Sequence, residues 1–303
     1  THPLSASAAK QTGLSAGTPV CLGYVDMVMT ALGAGVFGGG ENAACSIVGS
    51  TGVHMRTVTN ESVHLNAEGT GYIMALPVPG MVVQAQTNMA ATLNLDWILS
   101  IAANVLDETG VKVSSKDLIS RIDGWLAAST PGQIAYHPYI SEAGERGPFV
   151  NAQARAGFTG LSVNHKYADL VRAVIEGLGM AMRDCYVAMG GLPGELRLSG
   201  GAARSAGLRA VLAAAVNAPV RVSARDETGA AGAAMMAAVA IGAYRSMADC
   251  NAEWVTPLLG ESETPDHELA SAFERLFPAF QSARLGLVPA WNLLAAARQN
   301  TAF

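Results

Sequence analysis

The stretch ELRLSGGAARSAGLRAVLAAAVNAPVRVS, residues 195–223, restricts the possible folds more than any other part of the chain. A short leucine-bearing apolar run meets a Gly-Gly turn, an alanine- and leucine-rich amphipathic segment follows, and PVRVS closes it. The outer runs read as strands and the middle one as a helix. A further alanine-rich helix is expected from about Ala230 to Tyr244. Strands alternating with helices need a sheet with helices packed on it, which excludes a helical bundle and an all-β sandwich. Composition agrees: half of the residues are hydrophobic but only 6% are aromatic, so the apolar content is mostly alanine and small aliphatics, suited to close helix packing.

The rest of the chain extends this mixed α/β reading. TPVCLGYV, residues 18–25, reads as a buried strand after a Gly-Thr-Pro turn, and Asp26 opens a helical pattern with Met27, Ala31 and Leu32 on one face. Asp26 is therefore expected at a strand-to-helix junction. From Asn42, NAACSIVG, GVHMRTVT, GYIMALPV and MVVQAQTN are separated by turn residues, as strands joined by hairpins would be. Residues 94–128 are helical by periodicity, with a break at Gly110. The segment 136–160, rich in Gly, Pro and charge, is longer than ordinary connections, and such loops are more often functional than idle. KYADLVRAVIEGLGMAMRDCYVAMG is an amphipathic helix with Leu170, Val174, Leu178 and Met182 near one face, ending at Gly190-Gly191. Beyond Ala248 the chain is more polar, and its helices are expected to be peripheral. No repeat of solenoid period is visible.

A net charge of −5 with no basic run argues against nucleic acid or an anionic membrane as partner. A small anionic ligand stays open, because backbone N–H groups and helix N-termini can bind phosphate without appearing in a charge count. Cys21, Cys45, Cys185 and Cys250 lie far apart and form no zinc spacing, as expected of reduced thiols in a cytoplasmic protein. No positively charged, apolar-cored leader opens the chain, so a signal peptide is not expected. TGAAGAAMMAAVAIGAY is too short and too weakly apolar to span a bilayer. The chain opens at Thr1, as a fragment or processed product would.

Two glycine turns each follow an apolar strand. In SIVGSTGVH, Gly49, Ser50 and Thr51 could converge backbone N–H groups and hydroxyls on a phosphate, or form an ordinary hairpin turn. In LRLSGGAARSAGLRAVLAAAV, Gly200-Gly201 leads directly toward a helix, so it could seat a ligand on bare backbone or be a tight connection. Asp26 has two readings as well, a helix N-cap or a general base at the end of a buried strand. Glu145-Arg146 in GERGPF reads better as a loop anchor than as a ligand clamp, and the scattered histidines read as structural or solvated. There is no GxGxxG, GxxxxGK[ST] or GxSxG, which disfavours a dinucleotide-binding dehydrogenase, a P-loop enzyme and a serine hydrolase.

Taken together and in this order, five segments resemble the C-terminal, nucleotide-binding domain of the FGGY family of carbohydrate kinases. They are AGTPVCLGYVDMVMTALGAGV, CSIVGSTGVH, GERGPFVNAQARAGFTGLSVNHKYADLVRAVIEGLGMAMRD, LSGGAARSAGLRAVLAAAVNAPV and DETGAAGAAMMAAVAIGAY. The resemblance implies an actin-like ATPase, or ribonuclease-H-like, fold, a mixed sheet flanked by helices. It implies ATP and Mg²⁺ as cofactors, with Asp26 as the base that takes the proton of the attacking hydroxyl. Gly49, Ser50 and Thr51 would face the ATP phosphates. Gly160 and Asn164, after Phe158, would border the nucleotide, and Gly200, Gly201, Ala202 and Ser205 would hold adenosine; no metal ligand is assigned to this chain.

The resemblance runs from about Ala16 to Tyr244; residues 1–248 are accordingly expected to form the nucleotide-binding domain, and the more polar tail, 249–303, a helical extension packed on it. The family's N-terminal domain, with its Asp-x-Gly-Thr motif and most sugar contacts, is missing from this sequence and would be the principal protein partner. A homodimer is carried as a candidate assembly. The chain is thus expected to be one half of a cytoplasmic kinase that phosphorylates a small sugar or polyol, inactive by itself. Tyr24, Val25 and Met27 around Asp26, and Gly-Ser-Thr where Gly-Thr-Ser is commoner, depart from the family pattern. GYVDMVMTALGAG with CSIVGSTGVHMR is closer to kinases of polyols such as erythritol than to xylulose or glycerol kinases. The alternative is a non-catalytic actin-like nucleotide-binding module of a larger assembly.

Overall fold

A computed structural model describes residues 1–36 and 42–299. In chain order these form β1 (His2–Pro3), α1 (Ala6–Thr12), β2 (Pro19–Val20), α2 (Asp26–Gly33), β3 (Ala43–Val48), β4 (Gly52–Thr59), β5 (Tyr72–Ala75) and β6 (Met81–Asn88). Helices α3 (Thr92–Glu108), α4 (Ser115–Ile119) and α5 (Ile122–Ala127) follow, then β7 (Ala135–His137) and β8 (Gly157–Thr159). The last part holds α6 (Tyr167–Ala188), β9 (Glu195–Ser199), α7 (Ala206–Val216), β10 (Val220–Val222), α8 (Thr228–Ala240), α9 (Met247–Trp254) and α10 (His267–Gln299).

The hairpin patterns and the strand-helix-strand pattern meet in one mixed sheet of order β10-β9-β3-β4-β6-β5. β10, β9 and β3 are parallel, and β4, β6 and β5 continue it antiparallel. Side chains alternate between its two faces. Ala44, Val48, Leu196, Leu198 and Val220 enter the core beneath α3, α5, α6 and α7. Cys45, Met55, Val83 and Ala85 enter the opposite core with Val28, Met29 and Leu32 of α2 and Met235 and Met236 of α8. The expected α/β architecture of helices on both faces of a mixed sheet is therefore present.

The alanine- and glycine-rich composition has a local cause. A Cβ at Gly33 of α2 would lie 1.8 Å from the Thr228 carbonyl oxygen, and one at Gly232 of α8 would lie 1.9 Å from that of Met29. The two helices cross backbone against backbone, which no larger residue permits. Gly179 does the same for α6, where a Cβ would meet that of Ala215 in α7 at 2.8 Å.

Four expectations about elements are corrected. Residues 18–25 are not a buried strand: only Pro19 and Val20 pair, with His2 and Pro3, and Leu22 is 89% exposed. Pro3 lies opposite Pro19 and neither has an N–H to donate, so the ladder cannot extend. The long loop 136–160 has ordered ends, since β7 and β8 pair antiparallel across it.

Helix α6 is not one-sided; nearly every residue from Val171 to Tyr186 is buried. Its charged residues are paired within the fold: Arg172 with Glu176 at 3.1 Å, Arg183 with Glu274, and Asp184 with Arg284 at 3.3 Å and Gln281 at 2.8 Å. Three of those partners belong to α10, so the tail is not peripheral. Phe273, Phe277 and Phe280 of α10 lie in the same core as α6 and α7, and Trp291 closes a small cluster with Tyr139 and Phe149. A polar helix face indicates burial against polar partners here, a distinction that periodicity alone does not make.

Candidate functional site

The two glycine turns, distant in sequence, adjoin at the carboxyl ends of β3 and β9. Ile47 is in parallel register with Ser199, so Val48-Gly49 and Gly200 leave the sheet side by side. Gly200 has φ +89°, and a Cβ there would lie 2.7 Å from the Val48 oxygen and 3.1 Å from the Gly49 nitrogen. Only glycine allows this approach. At Gly201 a Cβ would meet nothing within 4 Å, so open space lies against its backbone.

The first turn is held from behind. Gly49 N–H donates to the Thr51 oxygen at 3.0 Å; the Gly49 oxygen accepts from Thr92 N–H and Oγ1–H, both at 2.9 Å, and the Ser50 oxygen accepts from Ala91 N–H at 2.7 Å. The Ser50 and Thr51 side chains are left exposed. Segment 88–92 is fixed in turn by Glu145, whose Oε1 accepts from Met89 N–H at 2.9 Å and Arg146 N–H at 2.8 Å. The anchor expected of GERGPF thus works through backbone N–H groups rather than an ion pair with Arg146. Burial pushes the Glu145 carboxyl up to about 7, against those same hydrogen bonds.

A second buried network joins this loop to the hairpin. Tyr186 and His54 Nδ1 each lie 2.9 Å from Ser46 Oγ, His54 Nε2 lies 3.0 Å from Asn88 Oδ1, and Asn88 Nδ2 donates to the Gly147 oxygen at 2.8 Å. Asn88 spends its amide on Gly147, so its oxygen accepts from His54 Nε2–H and the Nδ1 lone pair accepts from Ser46. Burial pushes the His54 imidazole down to about 4, keeping it neutral. His54 is structural, one of the two readings, structural or solvated, that the scattered histidines allowed.

From Gly200-Gly201 a cleft of about 420 Å³ extends over the α2/α8 face of the sheet. Thr30 of α2 and Ala34 just after it line it, together with Arg197, Arg221, Arg225 and the start of α8. Asp26 lies one helical turn before Thr30 and is exposed. It is not the N-cap, which is Val25; its Oδ1 accepts from the adjacent Met27 N–H at 2.8 Å.

The remaining expected positions are distributed unevenly. Gly200-Gly201 does not run straight into α7: a 3-10 turn, Gly201–Arg204, intervenes, Ala202 is buried, and Ser205 caps α7 by accepting from Leu208 N–H at 3.3 Å. Gly160, with φ +93°, follows β8, and Asn164 is exposed on the way to α6; neither lines the cleft. Among the described residues no group of three or more His, Cys, Asp or Glu is placed to hold a metal ion, and no helix is long and apolar enough to cross a membrane. Sequence reasoning missed the cleft arginines, although RLS and RVS on successive strands were a visible signal.

Residues 44–241 match the family model described as the FGGY family of carbohydrate kinases, C-terminal domain. The chain is 66% identical over 297 residues to a protein named erythritol kinase from Brucella abortus (strain 2308), covering 98% of this chain and 57% of that relative. Among solved structures, a xylulose kinase from Rhodospirillum rubrum superposes with a TM-score of 0.78 at 26% identity, and one from Lactobacillus acidophilus with 0.81 at 19%. Each superposition covers 96% of this chain and 56% of the other, so the chain spans a little over half the length of these proteins. With the sheet order, the adjoining glycine turns and the family match in agreement, the chain belongs to the FGGY family of carbohydrate kinases, within its C-terminal domain.

Proposed function

We propose that this chain is the nucleotide-binding part of an ATP-dependent kinase that phosphorylates a hydroxyl of a small polyol, erythritol or a close analogue. The observation that carries the proposal is the adjoining of the Gly49–Thr51 and Gly200-Gly201 turns at the carboxyl ends of parallel strands, where open α/β sheets place their ligands. The open backbone at Gly201 and the exposed Ser50 and Thr51 side chains fit a polyphosphate ligand. ATP with Mg²⁺ would bring the phosphoryl group and the neutralising charge that such a transfer requires.

In this reading Gly49, Ser50 and Thr51 hold the phosphates, and Gly200 and Gly201 carry the adenosine end. Ala202 and Ser205 shape that loop from behind, while Gly160 and Asn164 border the nucleotide. Asp26, exposed at the start of α2, takes the proton from the attacking hydroxyl. The 66% identity to the protein named erythritol kinase supports a polyol as acceptor. Residues 1–248 are read as the nucleotide-binding domain and 249–303 as its helical extension. A further sugar-binding domain completes the enzyme, and the exposed Val20, Leu22, Tyr24 and Val25 beside Asp26 favour a covering partner on that side. A cytoplasmic location belongs to the same proposal.

The test is phosphoryl transfer from MgATP to erythritol, xylulose and gluconate by the full-length protein and its Asp26→Asn variant. The expected result is turnover with the polyol, reduced about a hundredfold or more in the variant, with ATP affinity within a few-fold of wild type. Equal turnover in the two proteins would remove Asp26 from the reaction, and no turnover with any acceptor would favour a non-catalytic module.

A further inference from the structure

Strands β9 and β10 carry the same pattern in register: Arg197-Leu198-Ser199 lies beside Arg221-Val222-Ser223, with Arg197 directly opposite Arg221. Leu198 enters the core beneath α6 and α7, so by alternation both arginines face the α2/α8 side, where they line the 420 Å³ cleft. Like charges directly opposite on a sheet are destabilising. Glu195, 2.7 Å from Arg197 Nη1, offsets only one of them. Burial lowers the Arg197 pKa; Glu195 acts against that effect and the Arg221 charge adds to it.

The donors in this cleft outnumber their acceptors. Arg197 is 4% exposed and its Nε has no hydrogen-bond partner, nor has the buried Nε of Arg225. The hydrogen bonds that the cleft arginines do make are to single carbonyls, Arg221 Nε to Gly260 at 2.9 Å and Arg225 Nη2 to Trp254 at 2.8 Å. Each guanidinium has five N–H donors, so these tethers leave most of the fork unused. The N-terminus of α8 opens into the same space through Thr228 and Gly229, and its N-cap, Glu227, makes no side-chain capping bond. Four arginines line the cleft against Asp226 and Glu227, in a chain whose net charge is −5.

We propose that this cleft is a binding site for a small phosphate-bearing anion, held by Arg197, Arg221 and Arg225 with the first turn of α8. The Gly49–Thr51 turn does not line it, whereas Gly200 and Gly201 do, so the cleft adjoins the proposed nucleotide corner at those two glycines. The volume suits a small phosphorylated organic molecule, and the charge-bearing group is the part the arginines recognise. The inference rests on the arginines and the first turn of α8 rather than on the kinase reading.

Calorimetric titration of the full-length protein, without nucleotide and at constant ionic strength, tests it with inorganic phosphate and with glycerol 3-phosphate as probes. Binding of either probe is expected, weakened about tenfold or more by Arg221→Gln and by Arg225→Gln, and unchanged by Ser50→Ala. Tighter binding of glycerol 3-phosphate would identify a phosphorylated organic ligand, and equal binding a site for the phosphate group alone; both uphold the site. Thermal melts of the two arginine variants establish that they remain folded, and whichever melts as wild type decides the result. Absence of binding up to about ten millimolar of both probes, or binding that Ser50→Ala weakens while a folded arginine variant does not, overturns the proposal.

Discussion

Glu145 is buried behind the first glycine turn, with one oxygen taking two backbone N–H groups and the other meeting no donor. Its pKa rises from 4.5 to about 7 on folding, so between those values the native state holds the proton more tightly than the unfolded chain. Its contribution to stability is therefore full at low pH and is lost as the pH rises from 4.5 through 7. His54 acts in the opposite sense: its pKa falls from 6.5 to about 4, so stability is lost as the pH falls through that window. Glu145→Gln keeps an acceptor for Met89 and Arg146 but cannot ionise. Its stability relative to wild type should climb by up to about 3 kcal/mol between pH 4.5 and 7, measured by urea unfolding at a series of pH values. Parallel pH curves for the two proteins would refute the buried-carboxyl account. At this scale the sequence was legible for Gly200, where strand and turn demanded glycine. Ser205 also caps α7, a role the sequence left open because a serine after a glycine turn suits a cap and a ligand contact equally.

Hairpins and the strand-helix-strand run were readable because local period and turn residues define them. Helices α6 and α10 were not: their polar residues suggested solvent, but Arg183 and Asp184 face Glu274, Gln281 and Arg284 across the helix pair. Such pairing requires knowledge of which elements meet, and so does the exposed run at 20–25. The α2/α8 crossing is the element-scale feature that the site depends on, since α2 carries both Asp26 and the cleft residue Thr30. Gly232→Ala should destabilise the protein by about 3 kcal/mol in urea unfolding, because its Cβ would collide with a backbone oxygen. Gly286→Ala in α10, with nothing within 4 Å of the new methyl, should be neutral or stabilising by up to about 1 kcal/mol. Equal effects of the two substitutions would contradict the close crossing.

Over the whole molecule, the two halves of the sheet have different roles. The antiparallel half holds the Gly49–Thr51 turn through Thr92, Ala91 and Glu145, and the parallel half supplies Gly200-Gly201 and the arginine cleft. Strand and helix patterns indicated a mixed α/β domain, and the resemblance of five ordered segments to the FGGY C-terminal domain implied the mixed sheet flanked by helices that is found. Neither could locate the cleft, which arises only when β9, β10, α2 and α8 are assembled. The central claim is that the glycine corner seats the nucleotide, and Gly201 is the place to test it, since a side chain there meets open space rather than protein. MgATP binding to the full-length protein and to its Gly201→Leu variant should differ by about tenfold or more, wild type being tighter, with unchanged melting temperature. Equal affinity in a folded variant would contradict the assignment.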